Sequence, residues 1–144
     1  MKYTLFFLIL FITSNASAQI NANSIAGIWV DSTTQNRFEI VKIENAFTIN
    51  ILALSVPLND KGLPKTDEKN PVSNLRSRPI LGMNIASGIV FDSKTSTWNG
   101  KEIYSPEKGI TASCIIHLKD INHLKLVASK YFIKVEKNWK RYEK

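Results

Sequence analysis

Alternation is the property of this chain that most restricts its fold. Past the first two dozen residues the sequence reads as short extended segments, each closed by Gly, Pro, Asn, Asp or Ser. In residues 47–54, Phe47, Ile49, Ile51 and Ala53 fall on one face and Thr48 and Asn50 on the other. That period of two, with many β-branched residues, is the pattern of a half-buried strand and not of a helix. Further strands are predicted over 27–30, 37–43, 79–86, 89–91, 97–104, 110–118 and 123–130, and residues 131–143 close the chain with Phe132, Val135 and Trp139. Turns fall at 31–36, Glu44-Asn45, Ser87-Gly88, 92–96 and 119–122. Eight or nine strands in successive hairpins define an all-β domain, either an up-and-down antiparallel barrel or a sandwich. The one helix compatible with the pattern is a short one over 22–25.

The N-terminus reads as an address. Lys2 precedes an unbroken apolar run over residues 5–12, and Ala16-Ser17-Ala18 puts small residues where a signal peptidase cleaves. Eight apolar residues are far fewer than the ~20 a membrane-spanning helix needs. Residues 1–18 are thus expected to be a signal peptide, with an uncleaved anchor as the alternative, and residues 19–144 one domain that is periplasmic or secreted. No cysteine follows the cleavage site to take a lipid, and no second apolar run is long enough to cross a membrane. Removing eighteen of the 144 residues leaves 126, and the loss of Lys2 lowers the formal charge from +7 to +6. A basic exported protein is drawn to anionic envelope lipids or glycans, or else its charge serves solubility alone. Export argues against nucleic acid as a partner.

Cys114 is the single cysteine, so an internal disulfide is impossible. It shares a strand face with Ile110, Ala112, Ile116 and Leu118, and reads as a small buried hydrophobe. Residues 55–77 break the strand rhythm with three prolines, lysine–acid clusters and few apolar side chains. A loop this long is either a binding loop or lid, or a plain surface excursion.

No residue pattern calls for catalysis, a metal or a cofactor. The chain lacks a Gly-rich phosphate loop, zinc-type Cys/His spacing and a Gly-x-Ser-x-Gly elbow, and its carboxylates are scattered. His117 and His123 flank one hairpin turn but would need two further ligands to hold a metal. The protein is read as not an enzyme. The aromatic and basic residues are better placed. Trp29 opens the first strand and Arg141 lies in the last, and an up-and-down barrel must bring those two strands together. A cation–π stack of Arg141 on Trp29 is expected at that closure. Trp98 and Tyr104, six apart in one strand, share a face if no bulge intervenes, either filling the core or lining a cavity. Arg76 and Arg78 flank the long loop, where they hold an anionic ligand group or pin the loop to a carboxylate such as Asp67.

The ordered set Gly27-x-Trp29, Asp60-Lys61-Gly62, Asn70-Pro71, Arg76-x-Arg78-Pro79, Leu81-Gly82, Trp98-x-Gly100, Ile103-Tyr104-x-Pro106, Gly109-x-Thr111, Cys114 and Trp139-x-Arg141 resembles small secreted bacterial proteins grouped as domain-of-unknown-function family 2147. That resemblance implies a lipocalin- or calycin-like barrel and brings no catalytic residues. The chain departs from the family pattern at Ser105, where Asp is usual, at Ala112, where Tyr is expected, and at Ala128-Ser129, where Gly-Tyr is expected. Residues such as Glu136-Lys137-Asn138 replace the family's Gly-Arg-Thr.

The fold expected is a single antiparallel up-and-down barrel of about eight strands. Its expected function is to bind a small apolar or amphipathic ligand, with Trp29, Trp98, Tyr104, Arg76 and Arg78 as candidate contacts. The alternative is a filled barrel whose basic surface, concentrated over residues 130–144, meets anionic lipid, glycan or protein.

Overall fold

The computed structural model describes residues 20–143; the leader expected over residues 1–18 lies outside the described residues. Eight antiparallel strands close into one barrel: β1 (Gly27–Asp31), β2 (Arg37–Ile43), β3 (Ala46–Ala53), β4 (Asn84–Asp92), β5 (Thr97–Ser105), β6 (Ile110–Asp120), β7 (His123–Lys130) and β8 (Ile133–Arg141). Every strand pairs with its neighbours in sequence, and β1 pairs with β8 through Trp29↔Arg141, Val30↔Lys140 and Asp31↔Trp139. Closure leaves no free sheet edge. Residues 22–25 form turns rather than the short helix considered above. No helix among the described residues is long and apolar enough to cross a membrane.

Register shifts reset the alternation at five points, three of which bear on the site. In β4, residues 84–92 form one continuous strand, correcting the expectation of a strand over 79–86 and a turn at Ser87-Gly88. Phe47 pairs with Ile89 and Ile49 with Ala86, so an extra β4 residue is accommodated there, and Gly88 takes φ +66 to absorb it. The connection from β3 consequently runs as far as Met83, with isolated bridges Leu58↔Pro64 and Thr66↔Pro79 and a single 3-10 turn, Ser73–Leu75. A second bulge, where Arg37 pairs with Ala53 but Phe38 with Ile51, makes Leu54 rather than Ala53 face the interior. The third lies in β5: Gly100 pairs with Cys114 and Ile103 with Ala112. Gly100 and Ile103 therefore both meet inward-facing partners, and Trp98 and Tyr104 do not share a face.

The lower half of the barrel is solid. Trp29, Trp98, Phe47, Ile40, Ile49, Ile89, Cys114, Ile116 and Leu124 are all essentially inaccessible. Burial in these apolar surroundings pushes the Cys114 thiol up to about 11. Residues 20–26 seal this end, with Ile25 fully buried among the core side chains.

Candidate functional site

The closed end is built around Arg141. Its guanidinium lies 4.2 Å from the centre of the Trp29 ring, donating from Nη1 to the Ala26 carbonyl, from Nη2 to Ser24 and from Nε to Ile121, at 2.9, 2.7 and 2.7 Å. Gly27 holds φ +131, and a Cβ there would stand 2.6 Å from Arg141 Nη1. The glycine of Gly27-x-Trp29 thus makes room for the arginine. The Trp29 indole N–H donates to Ile25 O and that of Trp98 to Ala22 O, both at 2.8 Å. Neither indole borders the large cavity at the other end of the barrel. The expectation that Trp29 and Trp98 line a ligand site is therefore corrected. Both lie at the sealed end, where their rings fill the barrel and their N–H groups hold the N-terminal segment.

The upper half is hollow. A cavity of about 690 Å³ opens between the β1–β2, β3–β4, β5–β6 and β7–β8 connections, within the size range of small-molecule sites. Its wall is apolar: Phe38, Ile51, Ile85, Ile103, Leu126, Val135 and Trp139 supply most of it. Phe38 and Trp139 stack face to face, centroids 4.4 Å apart and planes within 2°. Ala112 and Ala128 also line this space. Small residues on adjacent β6 and β7 leave volume that larger side chains would fill.

Polar groups gather toward the mouth. Asp31 is buried; its Oδ1 accepts the backbone N–H of Thr33 and Thr34 at 2.8 and 2.7 Å, and Oδ2 accepts the Trp139 indole N–H at 3.1 Å. Lys137 Nζ stands 3.8 Å from Oδ2. Burial works to raise the Asp31 pKa, but the Thr34 and Thr33 amides, the Lys137 charge and the Trp139 N–H prevail and hold it below its ordinary value. Lys65, Lys108 and Lys130 line the rim, with Glu107.

Tyr104 borders the cavity, but its hydroxyl is committed elsewhere, donating to Asp67 Oδ1 at 2.7 Å. Fully buried Asp67 also accepts from Asn70 Nδ2 at 2.7 Å and from Arg78 Nε at 2.9 Å. Burial raises the Asp67 pKa, yet these three hydrogen bonds and the Arg78 charge bring it below the usual value. Arg76 donates to the Asn70 carbonyl at 2.8 Å. Neither Arg76 nor Arg78 borders the cavity. As ligand contacts both are corrected, because their guanidinium groups brace the β3–β4 connection. That connection nonetheless helps form the mouth through Val56, Lys65 and Ile80. A side chain at Gly109 would collide with the Lys69 carbonyl, so the same connection also packs on the β5–β6 turn.

His117 pairs with Lys125 and His123 with Asp120, so the two imidazoles are not cross-strand partners. Sequence reasoning missed Phe38, Trp139, Val135 and Lys137 as lining residues. For three of them the signal lay in the alternation of β8, where Val135, Lys137 and Trp139 fall on one phase; Phe38 belongs to β2.

The family model described as "Uncharacterized protein conserved in bacteria (DUF2147)" matches residues 27–141, the barrel from its first strand to its last. The chain belongs to this family. Among curated proteins, no match was found. A solved structure, protein HP1028 from Helicobacter pylori, described as belonging to the lipocalin family, is similar in fold. Its TM-score is 0.68, at 18% identity, with 82% of each chain covered. The barrel is thus lipocalin-like, as its topology and sealed end indicate.

Proposed function

We propose that this protein is an exported binding module for a small amphipathic molecule. The ligand's apolar part occupies the cavity, and its polar end lies at the mouth beside Lys137 and the rim lysines. The observation that carries this reading is the combination of a solid lower half with an apolar cavity of about 690 Å³ open at one end. A filled barrel, the alternative above, would need that volume packed. Lipocalin-like topology supports the reading, since barrels of eight strands either fill with side chains or hold one small ligand. An anionic head group suits the mouth best, because three lysines and Lys137 face a single exposed carboxylate there, Glu107.

Binding is favoured over catalysis by the state of Asp31. This ionised carboxylate on the cavity wall has both oxygens occupied by the β1–β2 turn amides and Trp139, an arrangement that fixes structure rather than moves protons. Native mass spectrometry of the protein purified from a cell envelope tests the reading. A reproducible extra mass removed by organic solvent is expected. A bare mass, with no uptake of fluorescent fatty-acid probes, would overturn it.

A further inference from the structure

The most exposed large apolar side chains among the described residues sit together at the cavity mouth. In the β7–β8 turn Tyr131 is 90% and Phe132 93% accessible, and Ile133 next to them is 57%. Lys130 pairs with Ile133 across a two-residue turn in which Tyr131 takes φ +53. Among the described residues nothing covers the two rings of this tight turn. Tyr131 and Ile133 also border the mouth, together with exposed Val56 and Ile110. Basic groups surround this apolar tip. Lys130 precedes it and exposed Lys134 follows, while Lys108 and Lys65 lie on the same rim.

We infer that the mouth end docks on an anionic lipid bilayer. Tyr131 and Phe132 enter the boundary between head groups and acyl chains, and Lys130, Lys134 and Lys108 meet the lipid phosphates. Aromatic rings at a protruding tip flanked by lysines are the combination that favours the membrane interface. Charge complementarity selects the occupant: the tip itself carries no acid, and Glu107 is the one exposed carboxylate on the cavity rim. Two convex rings also suit a fluid surface, whereas a folded partner would need a matched pocket for each. Docking in this orientation turns the cavity opening toward the lipid. The docking itself stands on the hairpin and its lysines, and does not require the ligand proposed above.

Vesicle flotation tests it, using phosphatidylglycerol-containing vesicles against pure phosphatidylcholine. The wild type is expected to float with the anionic vesicles and to be released as salt rises. The double variant Tyr131→Ser/Phe132→Ser should bind at least about tenfold more weakly. Ile43→Ser, an exposed apolar position beside the β2–β3 turn at the opposite end, should bind as the wild type. Ala128→Trp, which fills the cavity, should also float unchanged, so loss of ligand uptake is distinguishable from loss of docking. Failure of the wild type to float would overturn the inference, as would undiminished flotation of the double variant. A wild-type dimer in sedimentation analysis that the double variant dissolves would overturn it in favour of a second copy on the same tip.

Discussion

Arg141, at the end of β8, stacks over Trp29 of β1 at 4.2 Å and at the same time ties down Ser24 and Ala26. One side chain therefore closes the barrel seam and seals its lower end. Replacing Arg141 with Ala should lower unfolding free energy by about 2–4 kcal/mol, from lost hydrogen bonds and the cation–π contact. Arg141→Lys should recover only part of this, since an ammonium lacks the planar fork. Chemical denaturation measures both; an unchanged midpoint for Arg141→Ala would contradict the role.

The Cys114 thiol should be silent to thiol reagents until the protein unfolds. Its raised pKa also sets an alkaline signature. Well below pH 9 the thiol is protonated in both folded and unfolded chains. As pH rises from 9 toward 11, the unfolded chain loses its proton first and stability falls by on the order of 2 kcal/mol. The stability difference between wild type and Cys114→Ala should shrink across that window. A constant difference would contradict the burial.

Asp67 anchors the β3–β4 connection through Tyr104, Asn70 and Arg78. Its lowered pKa means that its ionised form contributes stability above the ordinary pKa of 3.8, which is lost as pH falls through the folded value. Tyr104→Phe removes one hydrogen bond to a buried carboxylate, a loss of about 1.5–3 kcal/mol. Amide exchange over residues 66–80 should accelerate in that variant at neutral pH, and in the wild type under strong acid. Equal protection in both proteins would separate Asp67 from the connection it is placed to hold.

Lys137 faces the cavity beside Asp31, so it should distinguish ligands by head group. Lys137→Met is expected to weaken binding of a fatty-acid probe by roughly tenfold to a hundredfold, the worth of one charge-assisted contact. A fatty alcohol of the same length should be little affected. An equal loss for both would place the head group elsewhere.

The strand order was legible because each hairpin carries its own turn residues and its own alternation. The Arg141–Trp29 stack was expected from a Trp in the first strand and an Arg in the last, since closing an up-and-down barrel must bring β1 against β8. What alternation could not supply was phase beyond a bulge. The extra residue between Gly100 and Ile103 puts Tyr104 on Asp67, and Gly88 continues a strand where a turn was expected. Depth along the barrel axis was equally hidden. Trp29 and Trp98 look like cavity aromatics in sequence, but the carbonyls that accept their indole N–H groups belong to a segment with no strand pattern at all. Arg78 and Asp67, eleven residues apart, meet across a connection whose path local spacing does not determine.

The central claim is that the hollow upper half takes up one ligand, and the most direct measurement is titration of a fluorescent fatty-acid probe into wild type and Ala128→Trp. The wild type should saturate at one probe per chain. The variant, with the same circular dichroism, should bind none because its indole occupies the space between β7 and the opposite wall. Absence of saturable binding by the wild type, or equal binding by the two proteins, would contradict it.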